Sequence, residues 1–155
     1  YQSLMKEAGF QDRDVIIWVK KRRSDGDFLR KKKIYGTSNP KNPLMDCPSE
    51  AIIVMHKDSP RLEGANPDLT YKEFLQWRLN VWEIDTETDR NHPAPFPAEL
   101  PRRLIKFYSF PNQVVLDPFL GSGTTMKVAG TLNRTCIGCE LDAGYVEMVK
   151  ERMRR

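Results

Sequence analysis

Residues 113–141 read QVVLDPFLGSGTTMKVAGTLNRTCIGCEL, in which two apolar segments flank a glycine-containing turn and a helix-forming segment. Its apolar beginning, QVVLDPF, predicts a strand, and LGSGTT predicts a glycine loop. TMKVAGTLN then predicts a helix, and TCIGCEL predicts a second strand. A strand, a glycine loop, a helix and a strand within about thirty residues form a βαβ unit, in which the crossover makes the two strands parallel.

The glycine loop has the composition of a binding site. Gly121 and Gly123 stand where the chain turns from strand to helix, and small residues there let a ligand approach the main chain closely. Free N–H groups at the start of the helix, with hydroxyls at 122, 124 and 125, favour an anionic group. Glu140 ends the second strand about twenty residues after Asp117, which suits an acid that accepts hydrogen bonds from ribose hydroxyls. The pattern indicates a nucleoside-containing cofactor.

Three such cofactors can be compared by their motifs. A phosphate-binding P-loop requires a lysine after its last glycine, but Thr124 follows Gly123. A dinucleotide-binding loop requires a third glycine where Met126 stands. S-adenosylmethionine remains, since its carboxylate can use the helix end and its ribose can use Glu140. A purely structural glycine turn in an unrelated α/β domain stays open on these residues alone.

The elements outside this stretch extend the same interpretation. Pro101 is tolerable only in the first turn of a helix, and Thr70 with Glu73 has capping-box spacing. The segments 14–20 and 51–57 are continuously hydrophobic, which predicts strands covered on both faces, as in a parallel α/β sheet. The expected helices are 1–9, 71–78, 98–109 and 143–155, the first of them ending at Gly9. The expected strands are 14–20 and 51–57. Residues 83–91 are expected to form an acidic polar linker.

A basic run follows the first expected strand. The protein has a formal net charge of +4 and a pI near 9.0, and cations are concentrated in KKRRSDGDFLRKKK, residues 20–33. Phosphate contact and a solvated surface loop are both compatible with this run. The candidate DNA-binding residues are Lys20, Lys21, Arg22, Arg23, Arg30, Lys31, Lys32 and Lys33.

Composition excludes several other classes. No apolar run approaches the ~18 residues needed to cross a bilayer, and residues 1–10 contain no signal-peptide core, so we expect a cytoplasmic protein without membrane contact. Three cysteines do not make a disulfide framework. Cys136 and Cys139 spell CxxC, but positions three apart in a strand point to opposite faces, so we expect no metal site. Trp18 and Trp77 are interpreted as packing residues.

Three segments together resemble the DNA amino-methyltransferases that act on adenine N6 or cytosine N4. VVLDPFLGSGTT is similar to the cofactor motif of that family. HPAPFPAELPRRLIKFYS, immediately upstream, resembles its other cofactor motif, in the subgroup where that motif precedes the glycine loop. CIGCELDAGYVEMVKERM resembles the strand and helix that follow. The linked match runs from about residue 82 to 152, and GFQDRDVIIWVK adds a weaker one.

The resemblance implies a Rossmann-like methyltransferase fold, mostly parallel with helices on both faces and incomplete at its N-terminus. It also implies S-adenosyl-L-methionine as cofactor. Asp117, Pro118, Phe119, Gly121, Ser122, Gly123 and Thr124 would line its methionine end, Glu140 would hold the ribose, and His92, Pro93, Ala94 and Phe96 would close over it. Many relatives carry a lysine near the position that Phe96 occupies here.

The family's transfer motif, [DNS]PP[YFW], does not occur in these 155 residues, which contain no Pro-Pro pair. In relatives with this motif order that segment lies nearer the N-terminus, so we expect catalytic residues upstream of Tyr1 and a fragment that is inactive alone. Adenine N6 is favoured over cytosine N4. A non-catalytic cofactor- or DNA-binding subunit is the alternative, and an RNA or protein-amide methyltransferase a weaker one.

The expected organisation is a single methyltransferase domain, 1–155. Within it we distinguish a basic and proline-rich loop region at 20–49, a short insertion at 58–91 that contributes to DNA recognition, and a cofactor-binding part at 92–155. The expected partners are double-stranded DNA and either a second copy of the chain or a restriction-modification partner, in a bacterial, archaeal or phage-encoded system.

Overall fold

The computed structural model describes residues 2–21, 48–64, 66–87 and 96–154. Helices and strands alternate over most of this part of the chain. In chain order the elements are α1 (Gln2–Glu7), β1 (Gln11–Lys21), β2 (Ser49–His56), α2 (Tyr71–Trp77), β3 (Val81–Asp85), α3 (Glu99–Tyr108), β4 (Val114–Asp117), α4 (Thr124–Thr131), β5 (Thr135–Gly138) and α5 (Ala143–Arg154).

The strands form two sheets. In the first, β1 lies between β2 and β3; it pairs antiparallel with β2, with Ile16 opposite Ile52, and parallel with β3, with Trp18 opposite Trp82. The expectation that β1 and β2 are both parallel strands covered on two faces is therefore wrong. Val15 is 48 % exposed and Ile53 44 % exposed, because the sheet packs through its other face.

Strand β3 lies partly in the segment expected to be a polar linker, so that expectation is wrong for residues 83–85. Its side chains alternate, with Trp82 and Ile84 buried and the residues around them exposed. The Trp18 indole N–H also donates to the Ile84 carbonyl at 3.0 Å. The acidic residues of this strand occupy the solvent face, which a period of two allows.

The second sheet consists of β4 and β5, which pair in parallel from Val114 opposite Thr135 to Asp117 opposite Gly138. Helix α4 connects them, so the βαβ unit is confirmed. Both strands are shorter than expected. Beyond Asp117 and Gly138 the chain leaves the ladder to form the glycine loop and the turn at Glu140.

Helix α3 contributes to two apolar clusters. Leu100 packs with Ile16, Trp18, Trp82 and Ile84 from the first sheet. Ile105, about one and a half turns further on, packs with Val128 and Ala129 of α4. Because α3 has a buried side chain in each cluster, it joins the first sheet to α4. Burying an apolar side chain of the size of Leu100 or Ile105 stabilises the fold by about 1.5–3 kcal/mol. Pro101 lies in the first turn of α3, as expected.

Local signals at the helix ends agree with the sequence. The Thr70 hydroxyl accepts from the Glu73 N–H at 3.2 Å, and the Glu73 carboxylate accepts from the Thr70 N–H at 3.0 Å, which is a complete capping box. Gly9 follows α1 with φ +88°.

Trp18 and Trp77 are buried packing residues, as expected, and so is Trp82. Among the described residues, no helix is both long and apolar enough to cross a membrane.

Two ion-pair groups connect the segment around α2 to the C-terminal half. The Arg134 guanidinium is fully buried and contacts both carboxylate oxygens of Asp68, at 2.5 and 2.8 Å. Glu73 receives the Lys106 ammonium at 2.6 Å and the Arg102 guanidinium at 2.5 Å. Neither group was anticipated from the sequence, because their members lie 29 to 66 residues apart.

Candidate cofactor site

The candidate site begins at the carboxyl ends of the parallel strands β4 and β5. The Cys139 N–H donates to the Asp117 carbonyl and the Leu120 N–H donates to the Cys139 carbonyl, both at 2.9 Å. These bonds extend the pairing just past the ladder and bring the two strand ends together around the glycine loop. An Asp117 carboxylate oxygen accepts from the Phe119 N–H at 3.0 Å, which orients that acid at the start of the loop.

The glycine loop itself, residues 120–123, needs glycine at two positions. Gly121 has φ +53° and Gly123 has φ +81°, a region that residues with a Cβ adopt at a cost. Gly123 is also crowded, since a Cβ there would lie 2.9 Å from a methyl carbon of Val149. Gly123 is the N-cap of α4, so the chain enters that helix directly from the left-handed conformation.

Glu140 is engaged by backbone N–H groups. One carboxylate oxygen accepts from Gly121 at 2.7 Å, and the other accepts from Leu141 at 2.8 Å and Asp142 at 2.9 Å. The acid therefore ties the glycine loop to the end of β5 before any ligand is considered. The Gly121 N–H, close to the group of donors expected to meet an anion, already has a carboxylate partner.

A cleft of about 560 Å³ opens beside β4. It brings Phe96, which precedes α3, into the same lining as Asp117 and Thr125. The rest of the lining is mainly apolar and comes from α3 and β4. Candidate residues from the upstream motif and the glycine-loop motif thus share one cavity, although Phe96 and Asp117 are 21 positions apart in the sequence.

Glu140 does not line that cleft. It lies on a second cavity of about 590 Å³, between the glycine loop and α5, together with Leu120, Gly138 and Lys150. The structure therefore places the expected ribose-binding acid and Phe96 on two different cavities.

Two exposed apolar side chains stand close to the acids in the sequence. Phe119, which was expected in the site, is 81 % exposed, and Leu141, which was overlooked, is fully exposed. Large exposed apolar groups are informative when they stand next to polar site residues. The signal for Leu141 in the sequence was its position directly after Glu140.

Several expected site residues fall outside the described part of the chain. These are His92, Pro93 and Ala94 of the upstream motif and Arg22, Arg23, Arg30, Lys31, Lys32 and Lys33 of the basic run. Lys20 is described: it forms an ion pair with Glu50 of β2, and its ammonium lies 5.4 Å from the centre of the Trp18 ring. For Lys21 only the backbone, in β1, is described.

The cysteine pair is divided by the end of β5. Cys136 lies within the strand and packs against the α3–α4 cluster, whereas Cys139 follows the strand and is exposed. Burial, with a smaller contribution from the Asp117 carboxylate, raises the pKa of the Cys136 thiol. A raised pKa disfavours the thiolate, which is the form that binds metals and reacts.

This fold and site define an α/β protein with a glycine loop and two acids at the carboxyl edge of a parallel strand pair. A profile of the N6 and N4 methyltransferases, described as DNA methylase, matches residues 1–151. The chain belongs to this DNA methylase family. Its resemblance to the family, and the α/β methyltransferase class of its fold, are thereby confirmed.

Three similar proteins illustrate the match. Type II methyltransferase M.MjaI of Methanocaldococcus jannaschii is 33% identical over 162 residues, covering 96% of this chain and 51% of the relative. M1.MboII of Moraxella bovis is 51% identical over 115 residues, covering 63% of this chain and 44% of the relative. A candidate DNA modification methylase of Thermus thermophilus, in complex with S-adenosyl-L-methionine, superposes with a TM-score of 0.76 at 28% identity, covering 99% of this chain and 57% of that one.

The chain thus spans about half the length of the curated relatives that it matches. The match to M.MjaI includes nearly all of this chain, so the shared half contains both sheets and the glycine loop. What the other half of each relative contributes has no counterpart in these 155 residues.

Proposed function

We propose that this chain is the cofactor-binding part of an enzyme that transfers a methyl group from S-adenosyl-L-methionine to an exocyclic amino group of a DNA base, adenine N6 in preference to cytosine N4. The observation that carries the proposal is the glycine loop held between Asp117 and Glu140 at the ends of two parallel strands. Family membership and the coverage of similar methyltransferases support it.

The residues present suit the methionine end of this cofactor. An amino acid zwitterion requires an acceptor for its ammonium and donors for its carboxylate. Asp117 supplies a carboxylate on the main cleft. The first turn of α4, which begins at Thr124, supplies N–H groups that have no partner within the helix. Phe96 lines the same cleft and would cover the bound group from the other wall.

The nucleoside end has matching chemistry at the second cavity. Glu140 is positioned to accept from ribose hydroxyls if these replace or add to its backbone donors. Leu141, the next residue in the chain, presents exposed apolar surface, which suits the face of an adenine ring. We expect His92, Pro93 and Ala94 to complete the wall near Phe96, as the family resemblance implies.

Methyl transfer itself requires groups that this chain does not contain. An exocyclic amine is a poor nucleophile because its lone pair is delocalised into the ring, so a hydrogen-bonding partner and a stacking ring for the flipped base are needed. The motif that provides them in the family is absent here. The half of the relatives outside the match is the expected source of that motif.

The substrate is proposed to be double-stranded DNA, held in part by the basic run at 20–33. Four of its cations lie at 20–23 and four at 30–33. Phosphate contacts by such residues would position the duplex without reading its sequence. A restriction-modification setting in the cytoplasm of a prokaryote, or in a phage, and association with a second copy or a restriction partner complete the proposal.

The absence of the transfer motif also favours one second candidate, a non-catalytic subunit that binds cofactor or DNA for a separate catalytic chain. Both candidates bind the cofactor, but they differ in how activity is restored. Joining the chain to the half of M.MjaI that lies outside the match should create transferase activity if the chain is part of an enzyme. A fusion that binds S-adenosylhomocysteine but transfers no methyl group would favour the subunit.

Calorimetric titration of the purified protein with S-adenosylhomocysteine tests the cofactor directly. We expect saturable binding at one site, with NAD and ATP as matched nucleotide controls that do not bind. Binding of NAD in preference to S-adenosylhomocysteine would overturn the proposed function.

A further inference from the structure

The last helix, α5, contacts the glycine loop at two successive residues. Val149 is 6 % exposed, and its methyl carbons fill the space where Gly123 has no side chain. One turn further along α5, the Arg152 guanidinium donates to the Ser122 carbonyl at 2.9 Å. The two contacts lie on the same face of the helix because their sequence separation is three.

The loop is also held by the acid at the end of β5. Glu140 accepts from the Gly121 N–H at 2.7 Å, so a carboxylate fixes the Leu120–Gly121 peptide and a guanidinium fixes the Ser122–Gly123 peptide. Within the loop, the Gly123 N–H donates to the Leu120 carbonyl at 3.0 Å. A loop with positive φ at 121 and 123 is thus held by two charged side chains.

These contacts matter for binding because a loop that is ordered before the ligand arrives loses less entropy on association. The Ser122 carbonyl belongs to the peptide group that leads into Gly123, the N-cap of α4. Rotation of that peptide would turn the Gly123 N–H away from the Leu120 carbonyl, to which it donates at 3.0 Å, and would change the left-handed φ with which the chain enters α4. A hydrogen bond to the Ser122 carbonyl opposes this rotation.

We propose that Arg152 is a positioning residue of the cofactor site, which holds the glycine loop in its binding conformation through the Ser122 carbonyl. Arg152 acts through the loop and does not itself touch the ligand. The proposal rests on the proposed function, since it assumes that the loop binds S-adenosyl-L-methionine. It also assigns the terminal helix, through Arg152 and Val149, a part in that site.

The test compares three variants of the purified protein with the wild type. Arg152→Ala removes the donor, and Arg152→Lys keeps a cation that can still donate. Lys6→Ala is the control, since it removes an exposed cation of α1 whose ammonium pairs with Asp12 and which lines neither of the two cavities at the loop. S-adenosylhomocysteine is titrated into each protein, and the carbonyl ¹³C shift of Ser122 is recorded without ligand.

Loss of a hydrogen bond from a charged donor should weaken ligand binding about tenfold in Arg152→Ala, with Arg152→Lys between it and the wild type. Lys6→Ala should bind like the wild type, and only the Arg152 variants should shift the Ser122 carbonyl signal. A wild type that does not bind overturns the proposed function. Wild-type binding that is unchanged in a folded Arg152→Ala, or an unmoved carbonyl signal, overturns the positioning role alone.

Discussion

Arg134 donates to both carboxylate oxygens of Asp68, a residue 66 positions earlier in the chain. Its remaining donors are also satisfied, by the Leu132 carbonyl and by the hydroxyl and carbonyl of Ser109. Each of the five guanidinium N–H groups thus has an acceptor, although the side chain is fully buried. This pair joins the segment before α2 to the start of β5, at the end of the sheet away from the glycine loop.

Replacing Arg134 with Ala should destabilise the protein by about 3–5 kcal/mol, because the Asp68 charge would lose its partner in a partly buried place. The double variant with Asp68→Ala should recover part of that loss, which gives a coupling energy of roughly 1–3 kcal/mol. Urea unfolding of the four proteins measures both quantities. Lys6→Ala, which breaks the exposed pair with Asp12, serves as the control and should cost under about 1 kcal/mol. Additive single effects at 68 and 134 would contradict the coupling.

Glu73 gives the fold a dependence on acid. Burial raises the pKa of this carboxyl, but hydrogen bonds from Lys106 and from Thr70 outweigh it and lower the pKa from 4.5 to about 2. A carboxyl whose pKa is lower in the folded state stabilises the fold above its unfolded pKa and loses that contribution as pH falls. The stabilisation should therefore be complete above pH 5 and disappear between about pH 4.5 and 2.

The variant Glu73→Gln tests this dependence while keeping an amide oxygen for the capping box. At pH 7 it should be less stable than the wild type by on the order of 2–3 kcal/mol, and the difference should vanish toward pH 2. Free energies of unfolding in urea, measured from pH 2 to 7, give the curve. Glu147→Gln, in an exposed pair on α5, should leave it unchanged. A pH-independent difference would mean that shape, and not charge, is what the variant loses.

Periodicity and motif spacing predicted the C-terminal part of the fold well. The sequence signals that predict the βαβ unit all lie within the stretch from Val114 to Gly138. They are an apolar run, two glycines at the turn, a helix-forming segment and a second apolar run. The capping box at Thr70 is equally local, because its two residues lie three positions apart. Such features depend on neighbours in the sequence and need no knowledge of the tertiary structure.

The errors arose where pairing partners are distant. β1 and β2 are apolar in the same way whether they pair parallel or antiparallel, so composition could not give their direction. In β3 the acids at 83 and 85 obscured the alternation that buries Trp82 and Ile84. At the site, the sequence drew attention to Glu140 but not to Arg152, because a cation in a terminal amphipathic helix resembles any solvated residue. Its contact with the Ser122 carbonyl depends on how α5 packs.

Glu140→Ala should weaken binding of S-adenosylhomocysteine by roughly 1.5–3 kcal/mol, the cost of losing hydrogen bonds to a charged acceptor. The effect has two sources, since the variant loses the proposed ribose contacts and also the bond to the Gly121 N–H. Calorimetry with the wild type, Glu140→Ala and the control Glu147→Ala measures it. Equal affinity of the first two proteins would contradict any role of Glu140 in the cofactor site.

The 155-residue protein should transfer no methyl group to DNA on its own. The amino group would lack its hydrogen-bonding partner and the flipped base its stacking ring, because the sequence contains no Pro-Pro pair. Incorporation of tritium from labelled S-adenosyl-L-methionine into adenine-rich and cytosine-rich duplexes is the assay, with M.MjaI as the positive control. Label in either duplex above a no-enzyme blank would place the transfer chemistry within this chain, and the modified base would identify the target.

The basic run offers the remaining prediction, which concerns DNA. If residues 20–33 contact phosphates, replacing Lys31, Lys32 and Lys33 with Gln should weaken DNA binding to a similar extent for all sequences. The slope of log K against log salt should shrink by nearly one unit per lost contact, since counterion release at each phosphate contact contributes about 0.9 to the slope for duplex DNA. Affinity for S-adenosylhomocysteine should stay the same, because positions 31–33 are remote in sequence from the glycine loop.

Fluorescence anisotropy with two unrelated duplexes, each at several salt concentrations, separates the outcomes. An unchanged slope would make the run a solvated surface, and losses that differ between the duplexes would place it among the elements that read bases.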